Sequence, residues 1–123
     1  MLNNKQPIVD WDGKQSRDFT YVYNIAEANI KAATQKGISG EVFNIACGNS
    51  ISVIEIVGML NKILGKRLKP KYAPKRPGDV RKSYADITKM KDLLKSRPKI
   101  DFEEGLRRTT EWFVKNQDRL ITI

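Results

Sequence analysis

Ser52, placed three residues before Glu55, opens a run in which Val53, Ile56, Val57, Leu60, Ile63 and Leu64 recur at helical spacing until Gly65 interrupts it. A serine there accepts from the amide three residues on, while the glutamate reaches back to the serine N–H. Two of the donors that a helix start leaves unpaired are then satisfied together. The run predicts an amphipathic helix with one apolar face and a glycine stop. Such a face needs a second layer to cover it, and the rest of the chain has to supply that layer.

The flanking segments read as short strands and further helices, without repeats or low-complexity linkers. Residues 7–11 are apolar enough for a strand end, and residues 19–22 are rich in aromatic and β-branched types. Residues 25–34 predict an alanine-rich helix, and the Gly-Ile-Ser-Gly turn at residues 37–40 leads into residues 41–46, where Val42, Phe43 and Ile45 predict a buried strand. Residues 68–72 predict a short extended segment. Asp86 predicts the N-cap of a helix through Leu94, with Met90, Leu93 and Leu94 in the core. Asp101 and Glu104 repeat the capping pattern for a last helix to about Asn116, with Phe102, Leu106, Thr109 and Phe113 on its buried stripe and Trp112 as packing. The expected fold is α/β, with helices between strands too few to close a doubly wound sheet. Some apolar surface is therefore expected to need a partner.

Composition narrows the chemistry. A chain of 123 residues, 40% hydrophobic, holds one ordinary core but not two domains of the usual size. It contains no apolar run near the length of a membrane span, and residues 1–6 are polar, so a cytoplasmic protein with no membrane partner is expected. With no histidine and a single Cys47, an intrachain disulfide, a thiolate metal cluster and imidazole acid–base work are all excluded. Cys47 is read as a small buried residue following a strand. The eight glycines stand at 13, 37, 40, 48, 58, 65, 78 and 105, so none has the G-x-G spacing of a dinucleotide-binding turn. None of the tyrosines at 21, 23, 72 and 84 is followed four residues later by lysine.

Arg76-Pro77-Gly78-Asp79-Val80-Arg81 puts two guanidinium groups and a carboxylate on one turn. Arginine grips phosphate oxygens through a planar fork of donors, and an ionised aspartate accepts from sugar hydroxyls. The same residues also suit a solvated surface turn, and turn chemistry alone leaves both readings open. The net charge of +9 raises nucleic acid as a partner, since nine basic residues stand against Asp79 alone between Lys62 and Lys82. That stretch carries only Tyr72 as a stacking aromatic and no groove-reading motif, which argues against specific nucleic-acid binding.

A second segment joins the turn: Asp12-Gly13-Lys14-Gln15-Ser16-Arg17-Asp18-Phe19-Thr20-Tyr21-Val22. After it come a helix ending in Ala-Asn, then Gly40-Glu41-Val42-Phe43-Asn44-Ile45, the turn itself, and Glu103-Glu104-Gly105-Leu106-Arg107-Arg108-Thr109 before Glu111-Trp112. In this order the motifs resemble the C-terminal part of extended short-chain dehydrogenase/reductases, the NAD-dependent nucleotide-sugar epimerases and dehydratases, and most of all UDP-sugar 4-epimerases. The resemblance runs from about Leu2 to Lys115.

The resemblance implies a Rossmann-type fold of which this chain is the substrate-binding C-terminal portion, residues 1–123 forming one unit, with the NAD-binding domain absent. Arg17 and Arg76 match arginines that reach the diphosphate of a UDP-sugar, and Asp79 matches the carboxylate on the ribose hydroxyls. Arg81 matches less closely and is read as a diphosphate contact or a solvent-facing residue. Ile8 and Asp10 match the strand whose backbone holds uracil, although the family more often has an aromatic at Asp10. Ser83 matches a position lining the sugar, where a small residue leaves room for an N-acetyl group; it also suits an ordinary loop. Trp11 stands where glycine is usual and is expected to crowd the uracil strand. Asn24 stands where aspartate is usual and is expected to lose a helix-capping charge.

For intact relatives the resemblance implies oxidation at C4 by bound NAD, rotation of the keto sugar and hydride return, with tyrosine as acid–base group. This chain carries neither cofactor cradle nor tyrosine pair, so no cofactor and no turnover by the chain alone are expected. Three readings follow: a UDP-sugar-binding portion of such an enzyme, half of a split enzyme completed by a separate NAD-binding chain, or a basic interaction module.

Overall fold

A computed structural model describes residues 1–117 of the chain. Ser52 starts its helix as the sequence requires: its Oγ accepts from Glu55 N at 3.3 Å, and Glu55 Oε2 accepts from Ser52 N at 2.8 Å. The Ser52 hydroxyl and the Ser52 N–H, both donating to the Glu55 carboxylate, hold it below its ordinary range. The helix, α2, runs Val53–Ile63 and buries Val57. It leaves through Gly65, and Asn61 clamps the exit by bonding both the N–H and the C=O of Leu68 at 2.9 Å.

Strand β1, Ile8–Asp10, pairs in parallel with β4, Lys71–Ala73, with Val9 opposite Tyr72. Strand β2, Ser16–Arg17, pairs antiparallel with β3, Ile51–Ser52. The first helix, α1, spans Val22–Thr34; α3 spans Thr88–Asp92 and α4 spans Phe102–Lys115. Two two-stranded sheets in place of one wide sheet give the incomplete α/β architecture that the sequence predicts. The main core gathers Ala28 of α1, Ile38, Ala46, Ile87, Met90 and Leu94, with Phe43 and Ile45 packed against it.

Several elements depart from expectation. Residues 19–22 are not a strand: Phe19 instead lays its ring 5.8 Å from that of Phe102, and Val22 already belongs to α1. Residues 41–46 form no strand: 41–45 carry no regular structure, Ala46 lies in a bend, and Val42 is 80% exposed. No backbone N–H or C=O of residues 42–46 finds a hydrogen-bond partner among the described residues. An extended segment becomes a strand only when a neighbour accepts its ladder, and none is supplied here. Cys47, which follows it, is only half-buried, and that burial pushes its thiol up from the ordinary value.

The Asp86 carboxylate accepts from Thr88 N at 2.8 Å, but the N-cap of α3 is Ile87, without a side-chain cap bond, and the helix ends at Asp92, short of Leu94. In α4 Asp101 caps Glu104 N at 2.9 Å, whereas the Glu104 side chain turns to Arg107 and Arg108 instead of reaching back. Two cations outcompete one neutral amide for that carboxylate. The buried positions of α4 are Gly105 and Thr110, with Thr109 and Phe113 exposed. Gly105 sets this rotation, because a β-carbon there would lie 2.8 Å from Tyr21 Cβ.

Candidate functional site

The parallel pairing of β1 and β4 sends both strands out at the same end, where Trp11 N donates to Ala73 O at 2.8 Å. Crevices outside the carboxyl ends of parallel strands are where open α/β sheets take ligands. From β4 the chain passes Pro74 and Lys75 into the Arg76 turn, which closes by Asp79 N donating to Arg76 O at 3.2 Å. Gly78 sits at φ 76°, the left-handed position that a Pro-Gly turn of this kind reserves for glycine. Beyond it the segment lies along β2: Ser16 N donates to Arg81 O at 2.9 Å and Ser83 N to Ser16 O at 3.1 Å. The two segments that stood out in the sequence are therefore stitched together by backbone.

Side chains tighten the junction. Arg17 pairs with Asp79 through Nη2 and donates from Nη1 to Ser16 O and Val80 O, both at 2.8 Å. Its fork is thus largely spent on the protein, and the pair is 31% and 21% exposed. Asp79 uses one carboxylate oxygen for Arg17, which leaves Oδ2 as a free acceptor. Arg76 meets Asp10 through Nε at 2.5 Å with three-quarters of its side chain in solvent, so its terminal nitrogens stay available. Arg81 is bound to both oxygens of Asp12 at 2.9 Å. The Lys14 N–H and Arg81 together hold the Asp12 carboxyl below its usual range.

Of the residues singled out in the sequence, Arg17 with Asp79 and Arg76 with Asp10 are thus in direct contact. Ser83 is exposed and joins β2 one residue from Arg17. Ile8 shares the strand face of Asp10 and is 74% exposed, while Val9 between them is buried. The Arg76 turn leaves the carboxyl end of a parallel strand pair and is largely exposed to solvent.

Three residues carry more here than sequence reasoning gave them. The Asp18 carboxylate accepts from Cys47 N at 2.9 Å, Gly48 N at 2.8 Å and Ala85 N at 3.4 Å, gathering two loops behind the site. Its neighbour Arg17 drew the attention, and only the contiguous Arg-Asp signals it in the sequence. The first turn of α1 has no acidic residue and no side-chain cap, the loss expected at Asn24, but Asn24 has other partners. It is buried in the first turn of α1, accepts from Lys99 N and Ile100 N at 3.0 and 3.1 Å, and donates to Ile100 O at 2.7 Å. A carboxylate cannot make that last bond, which is a physical reason for the amide at this position.

Trp11 does not crowd β1 but lies beyond its end. It holds φ 56°, a region that costs a bulky residue on the order of 1–3 kcal/mol. Lys75 Nζ lies 4.2 Å and the Arg81 guanidinium 4.4 Å from its ring centre. With Tyr72, Ala73, Pro74 and Lys75 it lines an open cleft of about 440 Å³.

The family model for GDP-mannose 4,6 dehydratase matches residues 1–109. The chain belongs to the NAD-dependent nucleotide-sugar epimerases and dehydratases, the extended short-chain dehydrogenase/reductases. It is 40% identical over 113 residues to a UDP-glucuronate 4-epimerase of Thermodesulfobacterium geofontis, covering 91% of this chain and 34% of that protein. The solved UDP-glucose 4-epimerase of Thermotoga maritima, with UDP-glucose, superposes with a TM-score of 0.88 at 41% identity over 95% of this chain and 37% of that one. A Bacillus cereus UDP-glucuronic acid 4-epimerase, in complex with UDP-glucuronic acid and NAD, gives a TM-score of 0.86 at 32% identity over 93% and 37% of the two chains. The chain thus spans about a third of the length of the relatives it matches, and the fold is that of a C-terminal portion.

The residues described here do not fit the NAD that the family implies. A dinucleotide needs glycines that open backbone toward the pyrophosphate at a strand-to-helix turn. Gly13 and Gly48 instead back onto the side chains of Val9 and Ile87, and the start of α2 is closed by its own Ser52–Glu55 cap. Among the described residues no helix is long and apolar enough to cross a membrane, and no cluster of three or more His, Cys, Asp or Glu is placed to hold a metal.

Proposed function

We propose that this chain is the UDP-sugar-binding portion of an NAD-dependent epimerase or dehydratase, with 4-epimerisation of a UDP-hexose or UDP-N-acetylhexosamine as the reaction of the assembled enzyme. The observation that carries it is Arg76, held by Asp10 at the end of β4 with its terminal nitrogens free, beside the Asp79 turn. In this reading Arg76 meets the diphosphate, joined by Arg17, and the free oxygen of Asp79 accepts from the ribose hydroxyls. Ile8 and Asp10 offer strand backbone toward the uracil, and the short Ser83 side chain leaves room for an N-acetyl group. Domain organisation follows: residues 1–123 form one substrate-binding unit, and the cofactor-binding domain and the acid–base tyrosine come from elsewhere. The chain alone is then expected to show no turnover of UDP-sugars with added NAD.

Isothermal titration of UDP and UDP-N-acetylglucosamine tests the reading. Saturable binding, lost in both Arg76→Ala and Arg17→Ala, is the expected result. Absence of saturable binding by the unaltered chain would overturn it.

One observation favours the split-enzyme form of this reading, in which a separate NAD-binding chain completes the site. Residues 42–46 offer an unpaired backbone edge with Val42 outward, and Val22 and Ile30 of α1 are 70% and 66% exposed. A helix followed by a strand-like sequence that finds no ladder among the described residues is what half of a crossover unit offers a parallel neighbour. Co-expression with a chain carrying G-x-G-x-x-G and Tyr-x-x-x-Lys is expected to slow amide exchange at residues 42–46. Unchanged exchange in a co-purified pair would rule this form out.

A further inference from the structure

We propose that Trp11 is a specificity-determining residue, its indole forming the wall against which the planar base of a nucleoside diphosphate stacks. The inference rests on the nucleotide-sugar reading and adds a residue that the reading does not use. Four observations meet at one place. Trp11 follows the carboxyl end of β1, and its backbone is held at positive φ where glycine would sit without strain. Tyr72, 60% exposed, faces the same open cleft through the adjoining parallel strand. Neither ring joins the buried core, which is built from Ala28, Ile38, Ala46, Ile87, Met90 and Leu94. The Lys75 and Arg81 cations lie against the indole, and Arg76 follows Lys75 directly.

The combination selects the ligand. A bare anion would use Lys75, Arg76 and Arg81 and gain nothing from an indole. A neutral apolar molecule would meet a cleft rimmed with cations it cannot pair. A planar heteroaromatic ring joined to a diphosphate uses both, because every base has a face to stack on an aromatic and its phosphates pair with arginine and lysine. Lys75 is exposed, so an arriving ring can displace it from the indole and release its ammonium toward the phosphates.

The test uses a Trp112→Phe background, so that Trp11 is the only tryptophan reporting. Titration with UDP is expected to quench its emission, and inorganic pyrophosphate is expected to change it little. Trp11→Gly is expected to weaken UDP by about tenfold while shifting pyrophosphate affinity by less than about twofold. Glycine accepts the backbone conformation at residue 11 without strain, so unfolding does not explain that loss. Saturable UDP binding with unchanged emission and unchanged affinity in Trp11→Gly would overturn the stacking role and leave the nucleotide-sugar reading standing. An equal loss of UDP and pyrophosphate would overturn it too, by showing that Trp11 acts only through the cations it holds. Failure of the unaltered chain to bind UDP would remove both.

Discussion

At the carboxyl ends of β1 and β4, charge is matched to charge: Arg17 with Asp79, Arg76 with Asp10, Arg81 with Asp12. Around α1 and residues 41–46 charges pair too, Glu27 with Lys99 and Glu41 with Lys89, yet Val22, Ile30 and Val42 stand 66–80% exposed beside a backbone segment that finds no ladder among the described residues. In the first region this chain supplies the carboxylates itself, while Arg76 keeps its terminal nitrogens toward solvent. The second is unfinished, and its exposed apolar side chains gain by being covered. On the proposed reading, ligand recognition and folding fall to different parts of the molecule, and substitutions should separate them.

The largest effect is expected in the core beneath the unfinished face. Leu94 is fully buried among Ala28, Ile38 and Met90, so Leu94→Ala should remove roughly 2–5 kcal/mol of stability, read by urea unfolding. A loss below about 1 kcal/mol would mean that this cluster is not what holds the chain together. Next comes Asn24. Asn24→Asp replaces its donor to Ile100 O by a carboxylate oxygen facing a carbonyl, with an expected cost of about 1–3 kcal/mol. A neutral outcome would show that the turn at residues 99–100 reshapes freely.

Arg17 and Arg76 then split the two properties within the ligand edge. Arg17→Lys keeps the charge but loses the forked bonds to Ser16 O, Val80 O and Asp79, and should lower stability by about 1–2 kcal/mol as well as weakening UDP. Arg76→Ala, at a three-quarters exposed side chain, should leave stability within about 0.5 kcal/mol while weakening UDP about tenfold or more. Equal stability losses in both would merge the roles that the geometry separates.

What was legible in the sequence follows the same division. The capping box at Ser52, the Pro-Gly turn and the Asp101 cap are local, set by side chains within three residues of the backbone they serve, and all three formed. Residues 41–46 carried strand composition, but a strand is defined by its neighbour and no neighbour came with it. The stripe on α4 rotated because Gly105, silent in a hydrophobicity pattern, makes the closest approach to Tyr21. In the site, the ordered motifs picked out two segments that the backbone brings together. That Arg17 and Asp79 would pair with one another, and that Asp10 would serve Arg76, depends on long-range geometry that residue types alone do not reveal.

The smallest effect concerns Arg81, whose place in the ligand edge is the least defined. Asp12 at that edge and Glu27 on α1 both titrate below their ordinary ranges, Asp12 chiefly through the Lys14 N–H with help from Arg81, and Glu27 chiefly through Lys99. A carboxyl depressed on folding contributes stability above its ordinary value, and that contribution fades as pH falls through the folded one. Carboxyl-carbon NMR titrations should therefore give midpoints below the ordinary values of 3.8 for Asp12 and 4.5 for Glu27. Adding pyrophosphate should raise the Asp12 midpoint as Arg81 turns to the anion, though not fully, because the Lys14 N–H stays in place. Glu27, bonded to Lys99 and Tyr23, should not move. If Asp12 stays where it was while pyrophosphate binds, Arg81 remains with its carboxylate, and the cation cluster that meets the diphosphate is one arginine smaller.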